Sequence, residues 1–177
     1  MRLFIAIEVP EEVINYLSDV QKKLTGAKLT LTKSFHLTLK FLGEITPEKA
    51  EEIKKKLEKI TFKQFTATLN GTGVFPSENM IRVVWIGIEP HNVICELQKQ
   101  IDETLISLFQ KEKNFQPHIT LARVKEAPNK KQFAEHVKTL KVEPLTFEVK
   151  QFKLIQSQLG SEGSHYTVAA SYPAKAL

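Results

Sequence analysis

The sequence predicts one domain of two lobes, built from strands and helices, in which the same order of elements occurs twice. Each half of the 177-residue chain contains a strand, a helix, a His-x-Thr strand, a helix and a strand. The apolar strand around Ile5 returns 81 positions later around Ile86, and His36 returns 82 positions later as His118. Because no stretch of linker composition separates the halves, we expect residues 1–177 to form a single bilobal domain, with halves of about 1–80 and 81–177.

The two His-x-Thr stretches are the centre of this repeat. The first reads FHLTLKFLGE from Phe35, and the second reads FQPHITLARV from Phe115. Both alternate apolar and polar residues with a period of two, which is typical of a strand with one buried face. His36 and Thr38 therefore share the polar face of one strand, and His118 and Thr120 share that of the other.

In the first half, an apolar strand at Leu3–Glu8 leads to a helix opened by Pro10. A second helix begins at Thr46–Pro47, where a capping threonine is followed by proline at the first helical position. An alternating strand follows at Phe65–Leu69, and Asn70–Gly71 predicts a turn.

The second half repeats this order from the apolar strand at Arg82–Glu89. A helix follows with its apolar stripe from Val93 to Leu108, and another helix begins at Pro128–Asn129. We expect a strand from Leu145 that continues through Lys150 to Ile155. A loop should follow at Ser157–Ser164, with His165 next to it and a final strand at Tyr166–Ala169.

Composition restricts the class of protein. The net charge of +5 is compatible with a polyanionic partner, although a lysine- and glutamate-rich surface also fits the ion-pair networks of a thermophile. The apolar runs are much shorter than the roughly 20 residues of a spanning helix, and the N-terminus does not resemble a signal peptide. We therefore expect a cytoplasmic protein that is not in the membrane. The single cysteine, Cys95, excludes an internal disulfide.

Each candidate residue also has a structural interpretation. A single His-x-Thr in a strand is usually a half-buried structural histidine, but its repetition at the matching place favours a site. His91, His136 and His165 are more typical of surface positions. Arg123, five residues after His118, points away from it in an ideal strand, so a bulge or strand end is needed to bring its guanidinium to a phosphate. No third ligand is placed near the two motif histidines, so we expect no metal.

The paired motifs, with the opening Phe4–Ile7 strand and the stretch from Phe75 to Trp85, resemble the 2H phosphoesterase superfamily over essentially the whole chain. The closest resemblance is to its branch of 2′-5′ RNA ligases, also called RNA 2′,3′-cyclic phosphodiesterases. The resemblance implies an α+β, bilobal fold with antiparallel sheets lining a central cleft and helices on the outside.

The resemblance also implies a chemistry. His36 would be the proton donor and His118 the proton acceptor. Thr38 and Thr120 would hold phosphate oxygens, and Arg123 would contact phosphate. The substrate would be RNA with a 2′,3′-cyclic phosphate end, opened to a 2′-phosphate, with tRNA halves as the RNA if the family's 2′-5′ ligation also occurs. No cofactor, metal or protein partner is implied.

Two other functions remain compatible with the sequence. One is an RNA-binding module that holds cyclic-phosphate or 2′-phosphate ends without turnover. The other is a relative that acts on small cyclic nucleotides or ADP-ribose cyclic phosphates. Assays on cyclic-phosphate RNA, with analysis of the products, distinguish the three.

Overall fold

The computed structural model describes residues 1–176, which form nine strands and four helices. The strands are β1 (Arg2–Glu8), β2 (Lys28–Leu31), β3 (His36–Glu44), β4 (Phe65–Ser77), β5 (Met80–Glu89), β6 (His118–Glu126), β7 (Thr146–Val149), β8 (Gln151–Gly160) and β9 (Gly163–Pro173). The helices are α1 (Glu11–Lys22), α2 (Pro47–Leu57), α3 (His91–Thr104) and α4 (Lys130–Thr139).

All nine strands join one antiparallel sheet in the order β7-β4-β5-β6-β3-β1-β8-β9, and β2 pairs with β6 beside this path. Only Lys150 separates β7 from β8, although the two strands lie near opposite ends of that order. The sheet must therefore curl until β7 and β8 meet at this residue. The α+β class and the antiparallel strands expected from the resemblance are confirmed.

Two helices, α2 and α4, begin where the sequence placed their caps. Thr46 Oγ1 accepts a hydrogen bond from Lys49 N at the start of α2, and Asn129 Oδ1 accepts one from Gln132 N at the start of α4. Each helix buries its apolar stripe, as Leu17 of α1 and Ile53 of α2 illustrate. None of the helices in residues 1–176 is both long and apolar enough to cross a membrane.

The helices pack in two pairs, each of which takes one helix from each half of the sequence. The α2 helix packs against α3, and α1 meets α4 through His136, whose Nε2 lies 2.9 Å from the main-chain oxygen of Lys23. The strands are exchanged in the same way. The β4 strand lies with β5 and β6, whereas β8 and β9 lie beside β1. The two lobes of the molecule therefore differ from the two halves of the sequence.

Three predicted segments are wrong in detail. Asn70–Gly71 lies inside β4, where an irregularity in the pairing with β5 takes the place of a turn. The strand predicted to run through Lys150 is two strands at different places in the sheet. Ser157–Ser164 is the end of a long β8–β9 hairpin, because backbone pairing from Ser157–Tyr166 to Gly160–Gly163 orders a segment whose side chains are largely exposed.

Candidate functional site

The two His-x-Thr strands are neighbours in the sheet. Leu37 of β3 pairs with Ile119 of β6, and both side chains are fully buried on the core side. Because the strands are antiparallel, His36 comes to lie opposite Thr120, and Thr38 opposite His118. The two histidines are then diagonal neighbours on the opposite face, about 7–8 Å apart at the backbone.

A cleft opens on this face because β3 and β6 pair at a single position and then separate. Beyond that position β2 takes over as the partner of β6, from Leu31–Ala122 to Lys28–Glu126. The cleft has a volume of about 960 Å³. Its lining includes four of the five predicted site residues, namely His36, Thr38, Thr120 and Arg123.

His118 is the predicted residue that does not line this cleft. Its half-buried ring lies edge-on against Phe75, with centroids 4.9 Å apart. Phe75 in turn stacks on Trp85 at 5.0 Å. The strand register still places His118 beside Thr38, so the ring stands at the margin of the cleft with an aromatic wall behind it.

The tautomer of His118 follows from its hydrogen bond. Its Nδ1 lies 2.7 Å from the main-chain oxygen of Gln116, which can only accept, so Nδ1 carries the hydrogen. The Nε2 atom of the neutral ring is then an acceptor. Burial lowers the pKa of His118, and the bond to Gln116 opposes this in part, so the neutral form is favoured.

His36 has a different environment. Its ring contacts the edges of Phe4 and Tyr166, at centroid distances of 5.5 and 5.1 Å. Burial lowers the pKa of His36, the carboxylate of Glu8 raises it, and the ammonium of Lys153 lowers it. Of the two histidines, His36 is thus the one with a carboxylate that favours its protonated form.

A bulge brings Arg123 to the cleft. In the pairing of β5 with β6, Trp85 faces Thr120 and Val84 faces Ala122, so Leu121 is an extra residue on β6. Leu121 and Ala122 are both fully buried, which breaks the alternation and turns Arg123 to the face of Thr120. This is the bulge that the sequence required for Arg123.

The same bulge occurs in β3, where Thr38 pairs with Ala6, Lys40 with Ile5, and Leu39 is skipped. It turns Phe41 into the cleft, with 67% of its surface exposed. Phe41 follows His36 by five residues, as Arg123 follows His118. The sequence interpretation missed this residue, although the equal spacing in the two motifs was a signal that could have found it.

The other histidines lie elsewhere. His165 is exposed within β9, opposite Gln158, and it is not among the residues that line the cleft. Its neighbours Ser164 and Tyr166 do line it, so the hairpin forms a wall of the cleft without His165. His91 lies 3.7 Å from the sulfur of Cys95 on α3. Within residues 1–176 no three His, Cys, Asp or Glu side chains are grouped as metal ligands.

Comparison with known proteins finds the same repeat and identifies relatives of the chain. The model of the LigT like Phosphoesterase family matches the chain twice, over residues 7–85 and 86–166. An RNA 2′,3′-cyclic phosphodiesterase of Methanocaldococcus jannaschii is 39% identical over 172 residues, covering 95% of this chain and 98% of its own. One of Thermotoga maritima is 35% identical over 175 residues, covering 95% and 92%.

Solved structures show the same fold. The crystal structure of Escherichia coli LigT complexed with 3′-AMP has a TM-score of 0.77 at 26% identity, covering 99% of this chain and 98% of LigT. A Thermus thermophilus protein has a TM-score of 0.74 at 32% identity, covering 98% and 97%. With the two family matches that span most of the chain, these similarities show that the protein belongs to the LigT-like phosphoesterase family.

Proposed function

We propose that the protein hydrolyses the 2′,3′-cyclic phosphate at the end of an RNA to a 2′-phosphate, with His118 as the base and His36 as the acid. The observation that carries this proposal is the pairing of Leu37 with Ile119, which puts the two imidazoles on one face of the sheet at diagonal positions. A phosphoryl group between them has one ring on either side. This is the arrangement that in-line opening of a cyclic ester requires.

His118 suits the role of base. Its Nδ1–H is held by Gln116, so Nε2 is free to take a proton from the attacking water. The lowered pKa keeps the ring neutral at pH 7. In the step, the oxygen of water forms a bond to phosphorus while its proton passes to His118.

His36 suits the role of acid. As the bond between phosphorus and the 3′-oxygen breaks, the ring donates its proton to that oxygen, which leaves as the ribose hydroxyl. Burial alone disfavours the protonated form, but Glu8 opposes this, and the negative charge of a bound cyclic phosphate would oppose it further. The overall reaction adds one water and needs no other reactant.

Three further side chains fit the phosphate. The hydroxyls of Thr38 and Thr120 flank the space between the rings and can donate to the non-bridging oxygens. The guanidinium of Arg123 can donate two parallel hydrogen bonds to the same group. Phe41 offers an exposed ring on the His36 side, where the base of the terminal nucleotide can stack.

The relatives support the choice of substrate. Those from M. jannaschii and T. maritima are named RNA 2′,3′-cyclic phosphodiesterases. LigT of E. coli, which has this fold, has been crystallised with 3′-AMP. The phosphate of this nucleotide is on the 3′-oxygen of the ribose, one of the two oxygens that a 2′,3′-cyclic phosphate joins. Cyclic-phosphate RNA is therefore the substrate we propose. We also propose that the protein is cytoplasmic and that residues 1–177 act as one bilobal domain.

The same site can also act as a ligase if the nucleophile changes. If the 5′-hydroxyl of a second RNA replaces water, attack on the cyclic phosphate gives a 2′-5′ bond, with the same base and acid. We propose tRNA halves as the RNA for this second activity. The ligase activity is favoured by the size of the cleft, because its volume of about 960 Å³ leaves room for a second RNA end beside the terminal nucleotide.

The test is hydrolysis of an oligonucleotide with a 2′,3′-cyclic phosphate end, in EDTA, followed by identification of the phosphate position. We expect a 2′-phosphate product. His36→Ala and His118→Ala should each lower kcat/KM by at least a hundredfold, as expected for the loss of a general acid or base. His165→Ala is the matched control and should retain full activity. Binding without turnover would instead identify an RNA-end binding module, and turnover restricted to cyclic mononucleotides would identify a small-molecule enzyme.

A further inference from the structure

The cleft extends well beyond the residues that can contact the terminal phosphate and its base. Its volume of about 960 Å³ is at the upper end of the roughly 300–1,000 Å³ typical of small-ligand sites. The far part is bounded by the start of β1, the turn between β2 and β3, and the β8–β9 hairpin. It contains two cations that the proposed reaction does not use, Arg2 and Lys33.

Arg2 lies on the cleft face of β1 beyond the aromatic residues. Along this strand Ala6 pairs with Thr38, Phe4 with Phe41 and Arg2 with Glu44, so the cleft face runs from the phosphate to the aromatic rings to Arg2. Four residues separate the level of Thr38 from that of Arg2, which is about 13 Å along the strand. Because the arginine side chain is long, the distance from its guanidinium to a phosphate at the level of Thr38 can be shorter than this backbone distance.

Arg2 has no carboxylate partner in the described chain. Its neighbour Glu44 lies 3.6 Å from the N-terminal ammonium of Met1. No carboxylate of residues 1–176 lies within 4.0 Å of the Arg2 guanidinium. Its positive charge is therefore available to a ligand, with the hydroxyl of Ser157, its pairing partner on β8, beside it.

Lys33 lines another wall of the cleft, in the turn after β2. Its Nζ donates to the main-chain oxygen of Glu162 at the tip of the hairpin, 3.3 Å away. A carbonyl oxygen accepts this bond but does not neutralise the ammonium. The hairpin tip also presents the hydroxyls of Ser161 and Ser164 to the cleft. Glu162 supplies the one carboxylate among the described lining residues.

We propose that Arg2 and Lys33 bind the internucleotide phosphates on the 5′ side of the terminal nucleotide, so that the cleft accepts a chain of RNA rather than a cyclic mononucleotide. The inference rests on the proposed function, since it takes the terminal phosphate to lie between the two histidines. Cations and hydroxyls that line one groove are typical of sites that follow a single-stranded backbone. Leu31, exposed on the same wall, gives apolar surface for a second base.

The experiment compares two substrates, adenosine 2′,3′-cyclic phosphate and a tetranucleotide with the same end. Arg2→Ala and Lys33→Ala should each lower the ratio of kcat/KM for the tetranucleotide to kcat/KM for the mononucleotide by roughly three- to tenfold. The matched control is Lys131→Ala, which removes an exposed charge from α4 and should leave the ratio as it is. Lys33→Arg should restore most of the ratio, because it keeps the charge.

The salt dependence is a second readout. The logarithm of kcat/KM for the tetranucleotide should fall with the logarithm of salt concentration, and each lost phosphate contact should reduce that slope by about 0.7. An unchanged ratio and slope in both variants would overturn the inference. If Lys33 served only to anchor the hairpin, Lys33→Ala would slow both substrates equally, which also overturns it.

Binding separates this inference from the proposed function. Affinity for a tetranucleotide with a 2′-phosphate end, relative to adenosine 2′-phosphate, should fall in the same variants. The wild-type protein could hydrolyse neither cyclic substrate while the variants lose the preference for the tetranucleotide. The proposed function would then be wrong, and the inference that Arg2 and Lys33 bind the RNA chain would be supported. If the wild-type protein hydrolysed both and the preference did not change, the reverse would hold.

Discussion

Leu37 and Ile119 are paired across β3 and β6, at the one register position that these strands share in residues 1–176. The two side chains are equivalent in the repeat, since each follows the histidine of its motif. Their pairing fixes which face of the sheet the neighbouring histidines and threonines occupy, because a slip by one residue would turn every side chain of one strand to the other face. A single backbone contact, anchored in the core, therefore sets the geometry of the proposed site.

The pH dependence should reflect the two histidines. In the proposed mechanism, the reactive form of the protein has His118 neutral and His36 protonated. Burial lowers both pKa values, so the base stays neutral in mildly acidic solution and the acid loses its proton early as the pH rises. We expect a bell-shaped profile of kcat/KM with its maximum on the acidic side of about pH 6.5. A maximum well above pH 7 would contradict these assignments.

Glu8→Gln tests which histidine is the acid. Removing the carboxylate removes an effect that raises the pKa of His36, so the alkaline limb of the profile should move to lower pH. The acidic limb, which belongs to His118, should not move. Glu44→Gln is the matched control at the other end of the same strand pair. A shift of the acidic limb in Glu8→Gln would mean that the roles are reversed.

Gly73→Ala should impair catalysis through the ring of His118. A Cβ at residue 73 would lie 2.2 Å from the Trp85 ring, which supports Phe75 and through it His118. We expect kcat to fall roughly ten- to a hundredfold from misplacement of the base, with a small change in KM. Gly160→Ala is the control, because its Cβ would meet only the exposed ring of His165 and the neighbouring main chain. Wild-type kcat in Gly73→Ala would show that this aromatic stack does not position His118.

Phe41→Ala tests the contact with the terminal base. If the exposed ring stacks on that base, its loss should weaken binding by about 1–3 kcal/mol. The effect should appear mainly as a higher KM, and it should be smaller for Phe41→Tyr, which keeps the ring. Kinetics on cyclic-phosphate substrates with different bases provide the measurement. Equal KM values for wild type and Phe41→Ala would exclude the contact.

A buried ion pair behind the site should contribute to stability. Lys40, next to the bulge of β3, lies 2.6 Å from Asp102 of α3, which also accepts from Gln98 and from the main chain of Glu112. Burial would raise the pKa of Asp102, but these hydrogen bonds together hold it below its usual value.

Lys40→Met would leave this carboxylate buried without its cation, at an expected cost of about 3–5 kcal/mol in the free energy of unfolding. Denaturant unfolding measures the loss. The loss should shrink as the pH falls and Asp102 is protonated. The double variant Lys40→Met/Asp102→Leu should recover much of it, and a double variant as unstable as the single one would contradict this account.

Much of the arrangement of the candidate site could be predicted from sequence because its strands have one buried face. The alternation around His36 and His118 identified which side chains share a face, and the equal spacing in the two halves brought the motifs together. Phe41 was missed because the bulge after Thr38 breaks that alternation. The bulge depends on how β1 pairs with β3, which no local pattern records.

The long-range arrangement was beyond the sequence for a similar reason. The β8–β9 hairpin is ordered by its own ladder of backbone pairs, and Leu159 is 79% exposed, so the segment lacks the apolar alternation that marks a strand. At Lys150 the chain passes from β7 to β8, which are far apart in the strand order, and this step depends on the curl of the whole sheet. The pairing of each helix with a helix from the other half of the sequence depends on packing between segments that are distant along the chain.

The most direct test of the account is a crystal structure of the protein with adenosine 2′-phosphate, the product of the proposed reaction on a terminal adenosine. We expect Nε2 of His118 to lie within about 3.2 Å of an oxygen of the 2′-phosphate, and Nε2 of His36 to lie within the same distance of the 3′-hydroxyl. A phosphate held by Arg123 and His36 alone, with Nε2 of His118 out of hydrogen-bonding reach, would contradict these assignments.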